Sequence, residues 1–359
     1  MQQYSKDFLE FISKLEKNNV LEELNSRIYR DLDLYRFNLY NKPKKLPIVP
    51  LSNNVELTEV ETTPTIQFND TVIHNHLSLL TQRKECPETN PSDYLDRIDT
   101  DKPCIIQDIQ LDPLQIKYTH TDFEVIALYD EILKKELIQN IYNHVSAKSE
   151  HTLNLSELTS NYTYPLRETL FKDTSSISTN ISSFYRPINL TVLTLVKSED
   201  SYYILAGKRT ESTYQNSGSN TLIPSGFCRQ SFITNSNTLI EKFVHLYAQE
   251  LFNNSSPSIV DPHVQGLIDL VESQNTTFER TGIGINLTSM NLEVTGICII
   301  RNNNYLKTLT NSKVEDGLKN KKLSLIPVSK VEDQLSYIMS SFSASDLFCL
   351  NNGLTYFKE

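Results

Sequence analysis

The amino-acid sequence predicts a mixed α+β fold in two parts, a helix-rich mixed region over residues 1–185 and a second domain over residues 186–359. Apolar stripes at helical spacing and short β-branched runs both occur in the chain, and each pattern predicts its own kind of element. The amino-acid composition changes near Tyr185, where a stretch rich in Ser, Thr and Asn is followed by two β-branched runs. Turn-forming residues separate these runs, which predicts a β-hairpin at the start of the second part.

The first part is predicted to begin with helices and to continue through a polar region. Apolar residues recur at helical spacing over 4–40, which predicts one or two helices with a packing face or, as the alternative, a partner-binding face. The Pro-rich run at 43–50 predicts a linker. Further on, an apolar stripe over 123–145 predicts a long helix that Asp122 can cap. The role of this part is left open, with regulation of the second part or binding of a protein partner as the expectation.

The second part alternates predicted strands and helices. Strands are predicted at 188–196, 202–209, 282–287, 293–301 and 322–328, and helices at 238–252, 262–273 and 330–341. The strand runs are rich in β-branched residues, and the helices carry apolar stripes with polar residues between them. The second part is therefore predicted to be an α+β domain in its own right.

Composition and charge narrow the classes of function. The chain has 359 residues and a formal net charge of −10, and since a polyanion binds to a basic face, neither general nucleic-acid binding nor a membrane role is expected. Hydrophobic residues make up 38%, enough for a sizeable core. The five cysteines are scattered without zinc spacing, and the charged start at 1–17 is not typical of a signal peptide. We therefore expect a cytoplasmic protein with reduced thiols.

The most informative motif runs from Glu241 to Asn254 and reads EKFVHLYAQELFNN. Seven residues separate Glu241 from Gln249, and Glu250 follows directly. This register resembles the box of the Nudix family, in which a Glu and a seven-residue spacer precede Arg-Glu-aliphatic-x-Glu-Glu. Gln249 stands for the family's Arg, and Asn253 and Asn254 stand for its final Glu pair. Positions 250, 253 and 254 share one helix face because they are spaced i, i+3 and i+4.

The segments around this motif extend the resemblance. The helix alone is more typical of an ordinary amphipathic core helix. ILAGKR supplies Lys208 and Arg209 where the family has a strand ending in two basic residues. LIPSGF supplies Pro224 and Gly226 of a Pro-Gly-Gly-like turn, and SLIPV resembles the family's closing strand. The resemblance implies a Nudix-like α/β/α sandwich with a mixed sheet over 186–359.

The resemblance also implies a place for a divalent cation. Glu241, Glu250, Asn253 and Asn254 would be the oxygen ligands of Mg²⁺ or Mn²⁺, with Glu250 as the catalytic residue if the protein is active. Asn253 and Asn254 offer carbonyl oxygens but no negative charge, and an amide cannot serve as a general base. We therefore expect a hydrolase-deficient site, with Mg²⁺ or Mn²⁺ as a cofactor only if activity remains.

Four residues are expected to contact the ligand. Lys208, Arg209, Gly226 and Arg229 would meet a nucleotide-like or phosphorylated small molecule, because cations beside a close backbone turn suit phosphate oxygens. The basic pair at the strand end equally suits a solvated surface.

Three hypotheses of function remain open. In the first, the second part is a Nudix-like recognition module in a regulatory role. In the second, it is an active Mg-dependent hydrolase of a nucleoside diphosphate derivative, with a further acid supplied by Glu272, Glu279 or Glu293. In the third, it is an unrelated α+β structural or interaction protein, which is favoured if the 188–209 hairpin does not pack against the 238–252 helix.

Overall fold

The structure is a computed structural model of the 359-residue chain. It describes residues 14–15, 19–52, 55–59, 102–111, 114–121, 123–146, 153–164, 167–168, 176, 186–208, 219–229, 239–252, 262–306, 309 and 323–358. Among these residues, no helix is both long enough and apolar enough to span a membrane.

Helices and strands alternate along the described chain. Helices α1 to α7 are Val20–Ile28, Phe123–Ser146, Leu155–Asn161, Leu239–Phe252, Pro262–Glu272, Leu335–Ser341 and Ala344–Lys358. Strands β1 to β13 are Arg36–Phe37, Lys44–Lys45, Ile48–Pro50, Val55–Glu59, Cys104–Leu111, Leu114–His120, Ile188–Ser198, Ser201–Lys208, Asn220–Leu222, Ser225–Phe227, Thr276–Asn286, Leu292–Ile300 and Leu323–Pro327. The predicted α+β class is confirmed.

The largest sheet of the described residues is mixed and has eight strands, in the order β13-β8-β7-β12-β11-β3 with β9 and β10 attached. At its centre β7 and β12 run parallel, with Leu292 opposite Ile188 and Ile300 opposite Val196. The other pairs are antiparallel. Every residue of β12 is buried, as expected for a central strand with helices on both sides.

Strands β7 and β8 separate like the prongs of a fork. They pair only next to their hairpin, and beyond it β9 pairs with β8 while β10 pairs with β7. The short β9–β10 segment therefore fills the gap between the prongs, and Pro224 lies in its turn, as predicted. Ser225 lies between Pro224 and Gly226, and its buried hydroxyl lies 3.0 Å from the hydroxyl of Thr191. This contact accommodates a serine at that position.

Helices cover both faces of the large sheet. On one face, Leu190 and Val192 of β7 belong to a buried cluster that includes Leu246 of α4. On the other face, Leu193 and Leu195 belong to a second cluster with residues of α7. Alternate residues of β7 thus face opposite helical layers. The architecture around β7 is helix, sheet, helix.

The segment predicted as a linker, 43–50, instead contains strands β2 and β3. β3 pairs antiparallel with β11, with Val49 opposite Ile285. Ile48 and Val49 are buried, while Pro50 is tolerated because β3 is an edge strand of the sheet. The linker prediction is wrong because the prolines mark an edge strand rather than a break between units.

The rest of the first part adds a three-stranded sheet, β4-β6-β5, and the long helix α2. The predicted helix at 123–145 is confirmed as α2. β5 lies against the second part, since the Cys104 amide donates to Cys228 O at 2.7 Å and the Ile106 amide donates to Arg186 O at 2.9 Å. These hydrogen bonds join residues from the two sides of the predicted boundary near 185.

Candidate functional site

The fork places the described residues of the predicted ligand site on its two prongs. Lys208 ends β8, is exposed and pairs with Asn220 of β9. Gly226 lies on β10, which pairs with the other prong, and it is opposite Leu190 of β7. Both prongs end at the same end of the sheet, because β8 and β10 both run antiparallel to β7. Arg209 lies outside the described residues.

Gly226 and Arg229 lie against the first half of helix α4. A Cβ atom added at Gly226 would be 3.3 Å from Leu246 Cδ2, so the glycine allows the strand and the helix to approach closely. The buried Lys242 Nζ donates to Arg229 O at 2.5 Å. The structure therefore places Gly226 and the backbone of Arg229 against helix α4.

The two described acids of α4 point in opposite directions. Glu241 and Glu250 are nine positions apart on one helix. At about 100° per residue they project from opposite sides of the helix, and they are separated by roughly 13.5 Å along its axis. A single cation cannot contact both while α4 stays helical. Asn253 and Asn254 lie outside the described residues.

Two of the three acids considered as replacement ligands face away from α4. Glu293 lies on β12 and accepts a hydrogen bond from Asn189 Nδ2 at 2.7 Å on the α7 face of the sheet. Glu279 follows Phe278, whose ring contacts Phe243 of α4, so the glutamate projects from the opposite face and is exposed. The sheet separates both acids from Glu250. Neither can complete a cation site on α4.

A buried polar cluster, which sequence analysis did not identify, lies under the first turn of α7. Ser343 precedes the helix, and its hydroxyl donates to Asp346 Oδ2 at 2.6 Å. Asp346 Oδ1 also accepts from Leu222 N at 2.9 Å and from the Thr221 hydroxyl at 3.1 Å. Glu293 completes the cluster and is 1% exposed. The spacing Ser343-x-x-Asp346 is an N-terminal helix signal, so it could have revealed the helix but not the long-range contacts.

Burial changes the acid chemistry of this cluster. It raises the pKa of Glu293 to about 7, and the nearby carboxyl of Asp346 adds to the shift. Hydrogen bonds from Asn189, Ser345 and Asn286 oppose the shift because they stabilise the charged form. Glu293 therefore binds a proton more readily than an ordinary glutamate does.

The cysteines described by the structure have no evident reactive role. Cys104, Cys228, Cys298 and Cys349 are free and buried, in line with the predicted reduced thiols. Burial raises the pKa of Cys228 to about 12, so its nucleophilic thiolate is scarce near neutral pH.

A cleft of about 920 Å³ lies between the last turn of α1 and helix α3. Its lining mixes hydroxyl groups, three tyrosines and charges of both signs. Arg27 spans one side, donating to Glu23 Oε1 at 2.8 Å and to the Ser156 hydroxyl at 3.1 Å. The balanced charge suits a polar or zwitterionic ligand better than a simple anion.

Within the described ranges, no group of three or more His, Cys, Asp or Glu side chains is arranged to hold a metal ion. Comparison with known proteins gives no further assignment: no family model matches the chain, and no curated protein matches it significantly.

Proposed function

We propose that residues 186–359 form a Nudix-like domain that lacks most hydrolase activity and binds a nucleotide-like or phosphorylated ligand in a regulatory role. The observation that carries the proposal is the packing of helix α4 onto the forked hairpin. The turn with Pro224 and Gly226 lies directly between these two elements, in the chain order that the resemblance requires.

The contacts between helix and hairpin support the domain part of the proposal. Leu190 and Leu205 from the two hairpin strands share one buried cluster with Phe243 and Leu246 of α4. A hairpin that did not pack on this helix would have favoured an unrelated structural protein. The contact therefore counts for the Nudix-like hypothesis and against the third one.

The arrangement of acids supports the loss of hydrolase activity. A family site places three carboxylates on one helix face, whereas here the sequence leaves Glu250 with the amides of Asn253 and Asn254. Glu241 projects from the other side of the helix, and Glu279 and Glu293 lie across the sheet. A cation would then meet one negative charge instead of three, which weakens its binding strongly.

The ligand end of the site is proposed on Arg229. Arg229 lies close to α4, and guanidinium groups bind phosphate oxygens in a bidentate manner. Lys208 is exposed, but it alternates with Leu205 and shares the face of Ile204 and Ala206, which belong to the α7 cluster. Lys208 therefore lies across the sheet from Arg229, and the ligand contact is proposed without it.

Thermal unfolding with ADP and ADP-ribose as probes, each with and without Mg²⁺, tests this proposal. At 100 times its dissociation constant, a ligand of the native state adds about 2.7 kcal/mol and raises Tm by roughly 5–10 °C. We expect Arg229→Ala to weaken binding by about tenfold to a hundredfold, since it removes charge-assisted hydrogen bonds.

The control for this experiment is Arg301→Ala, an exposed arginine at the opposite end of the sheet that donates to the Thr277 hydroxyl. It should leave binding unchanged. Mg²⁺-dependent hydrolysis of either probe, abolished by Glu250→Gln, would refute the hydrolase-deficient assignment and favour the active enzyme. If neither probe shifts Tm for the wild type, ligand recognition of this class is rejected.

The first part of the chain is proposed to regulate this domain or to bind a protein partner. The cleft between α1 and α3 supports a contact there, because its hydroxyl and charged side chains offer both donors and acceptors. A polypeptide segment also offers both hydrogen-bond donors and acceptors, so a segment of a protein partner suits this cleft.

A further inference from the structure

Helix α1 is fastened across the junction between helices α6 and α7. Asn19 Nδ2 donates to Phe342 O at 2.7 Å, where α6 ends. The Glu22 carboxylate accepts from Ala344 N with both oxygens, at 2.9 Å and 3.0 Å, where α7 begins. These four residues, Asn19, Glu22, Phe342 and Ala344, are called the latch below. One segment thus satisfies backbone groups at the ends of two helices.

Three carboxyl groups meet at the latch. Glu22 of α1 belongs to the latch itself, Asp346 lies on the first turn of α7, and Glu293 lies on β12 below that turn. The amino end of α7 favours negative charge at Glu22, but burial opposes it and raises the pKa of Glu22. Asp346 accepts three hydrogen bonds that stabilise a carboxylate.

Glu293 is in a less favourable place for a negative charge. Its side chain is almost fully buried, and it accepts hydrogen bonds from neutral groups: the amides of Asn189 at 2.7 Å and Asn286 at 3.5 Å, and the hydroxyl of Ser345. Lys44 is near Glu22 rather than Glu293, and its Nζ donates to Met339 O at 3.1 Å. A third negative charge at Glu293 would repel the other two carboxylates with little screening by water.

The groups that face the cluster come from six elements. α1 contributes Glu22, β2 contributes Lys44, β12 contributes Glu293, and α7 contributes Asp346 and the buried thiol of Cys349. Around them, β7 and β11 supply the neutral amides. The carboxyl groups outnumber the single ammonium, so the cluster can reduce its repulsion by binding a proton.

We propose that the latch is proton-dependent: uptake of a proton by the Glu22 and Glu293 pair of carboxyl groups tightens the docking of α1 on α7, and its release loosens that docking. This inference is independent of the proposed ligand site, which lies on the opposite face of the sheet. It gives the contact between the two parts of the chain a pH sensitivity near neutrality.

The direction of the effect follows from proton linkage. The pKa of Glu293 is raised from 4.5 to about 7 in the folded protein, and burial also raises the pKa of Glu22 to about 7. In an opened latch Glu22 returns to water, where a Glu has its ordinary pKa, and its charge moves away from Glu293. The stabilisation is therefore complete below about pH 4.5 and is lost as the pH rises through about 7.

Amide hydrogen exchange at pH 5 and pH 8, corrected for the intrinsic exchange rates, measures this opening. In the full-length wild type, we expect protection of residues 20–28 to fall by about tenfold or more between these pH values, because closure takes up a proton and opening releases it. Helix α5, at 262–272, is remote from the cluster and serves as the internal reference. Its protection should change much less.

Glu293→Gln is the matched variant, because an amide mimics the protonated acid in shape and in hydrogen bonding. It should reduce the pH dependence at residues 20–28, because Glu22 then has one carboxylate fewer near it, whereas Glu279→Gln, on the exposed part of β11, should behave as the wild type does. Equal pH dependence in α1 and α5 of the wild type would overturn the proposal, whether or not the variant folds. So would a Glu293→Gln profile that matches the wild type.

Discussion

Replacing Asp130 with alanine is expected to lower the free energy of unfolding by about 3–5 kcal/mol, because the change leaves two buried cations without their shared anion. Asp130 lies on α2 and is 0% exposed. Its Oδ1 is 3.3 Å from Arg186 Nη2, and its Oδ2 is 2.9 Å from Lys134 Nζ. Both partners are themselves buried, so water cannot replace the lost carboxylate.

Denaturant unfolding of Asp130→Ala and Asp108→Ala provides the comparison. Asp108 pairs with Lys117 at 3.5 Å, but both side chains are more than half exposed. Exposed pairs contribute roughly 0–1 kcal/mol, so Asp108→Ala should be nearly neutral. If the two substitutions cost the same small amount, the buried pair does not stabilise the fold as its geometry indicates.

The buried ion pair also explains how the first part of the chain is joined to the second. Arg186 donates to Ile126 O on α2 and to Asn291 Oδ1, beside the start of β12. Arg167 makes a similar connection, donating to Leu133 O and to Leu287 O, each at 2.7 Å. Two buried arginines thus fasten α2 to the turn between β11 and β12. Loss of Asp130 is therefore expected to weaken the contact between α2 and this turn, in addition to removing the ion pairs of Asp130 itself.

Elements with a regular apolar pattern were predictable from the sequence. Helices α2, α4 and α5 and the strands of the β7–β8 hairpin have nearly their predicted bounds, because period and side-chain type agree in each case. The strand predicted at 282–287 begins earlier, at Thr276, since its first half is polar and partly exposed. Half-exposed strands carry a weaker hydrophobic signal.

Helix α7 was not predicted, for a physical reason. Its sequence contains Gly353 and two adjacent asparagines, which are poor helix formers, and it is buried on several sides rather than along one stripe. Tertiary packing on the large sheet holds this helix. The helix predicted at 330–341 begins only at Leu335, because Val328–Lys330 form a 3₁₀ turn.

The candidate site was predictable in part. The motif led to Gly226, Arg229 and α4, which the structure brings together. Sequence spacing could not show that Lys208 lies on a separate prong, because the fork depends on how β9 and β10 pair. Nor could it show that Glu293 faces α7, since strand parity matters only once the layers are known.

The same substitution at two helical glycines should have opposite effects on stability. Gly266 lies on the exposed side of α5, and a Cβ atom there would meet nothing within 4 Å. Gly266→Ala should therefore stabilise the protein by about 0.5–1 kcal/mol, since alanine loses less backbone entropy in a helix. At Gly353 of α7, a Cβ atom would lie 2.7 Å from Leu193 Cδ2 and 3.0 Å from Leu193 Cβ.

Gly353→Ala must therefore push α7 away from β7 or force Leu193 out of its rotamer, at a cost of about 1–3 kcal/mol. The intrinsic helix preference is the same at both sites, so the difference between the two variants isolates the close approach of α7 to the sheet. Equilibrium unfolding of both variants under one set of conditions measures it. If Gly353→Ala stabilises the protein as Gly266→Ala does, α7 does not pack on Leu193 at this distance. Helix α7, which carries Asp346 and part of the latch, would then lie farther from the sheet.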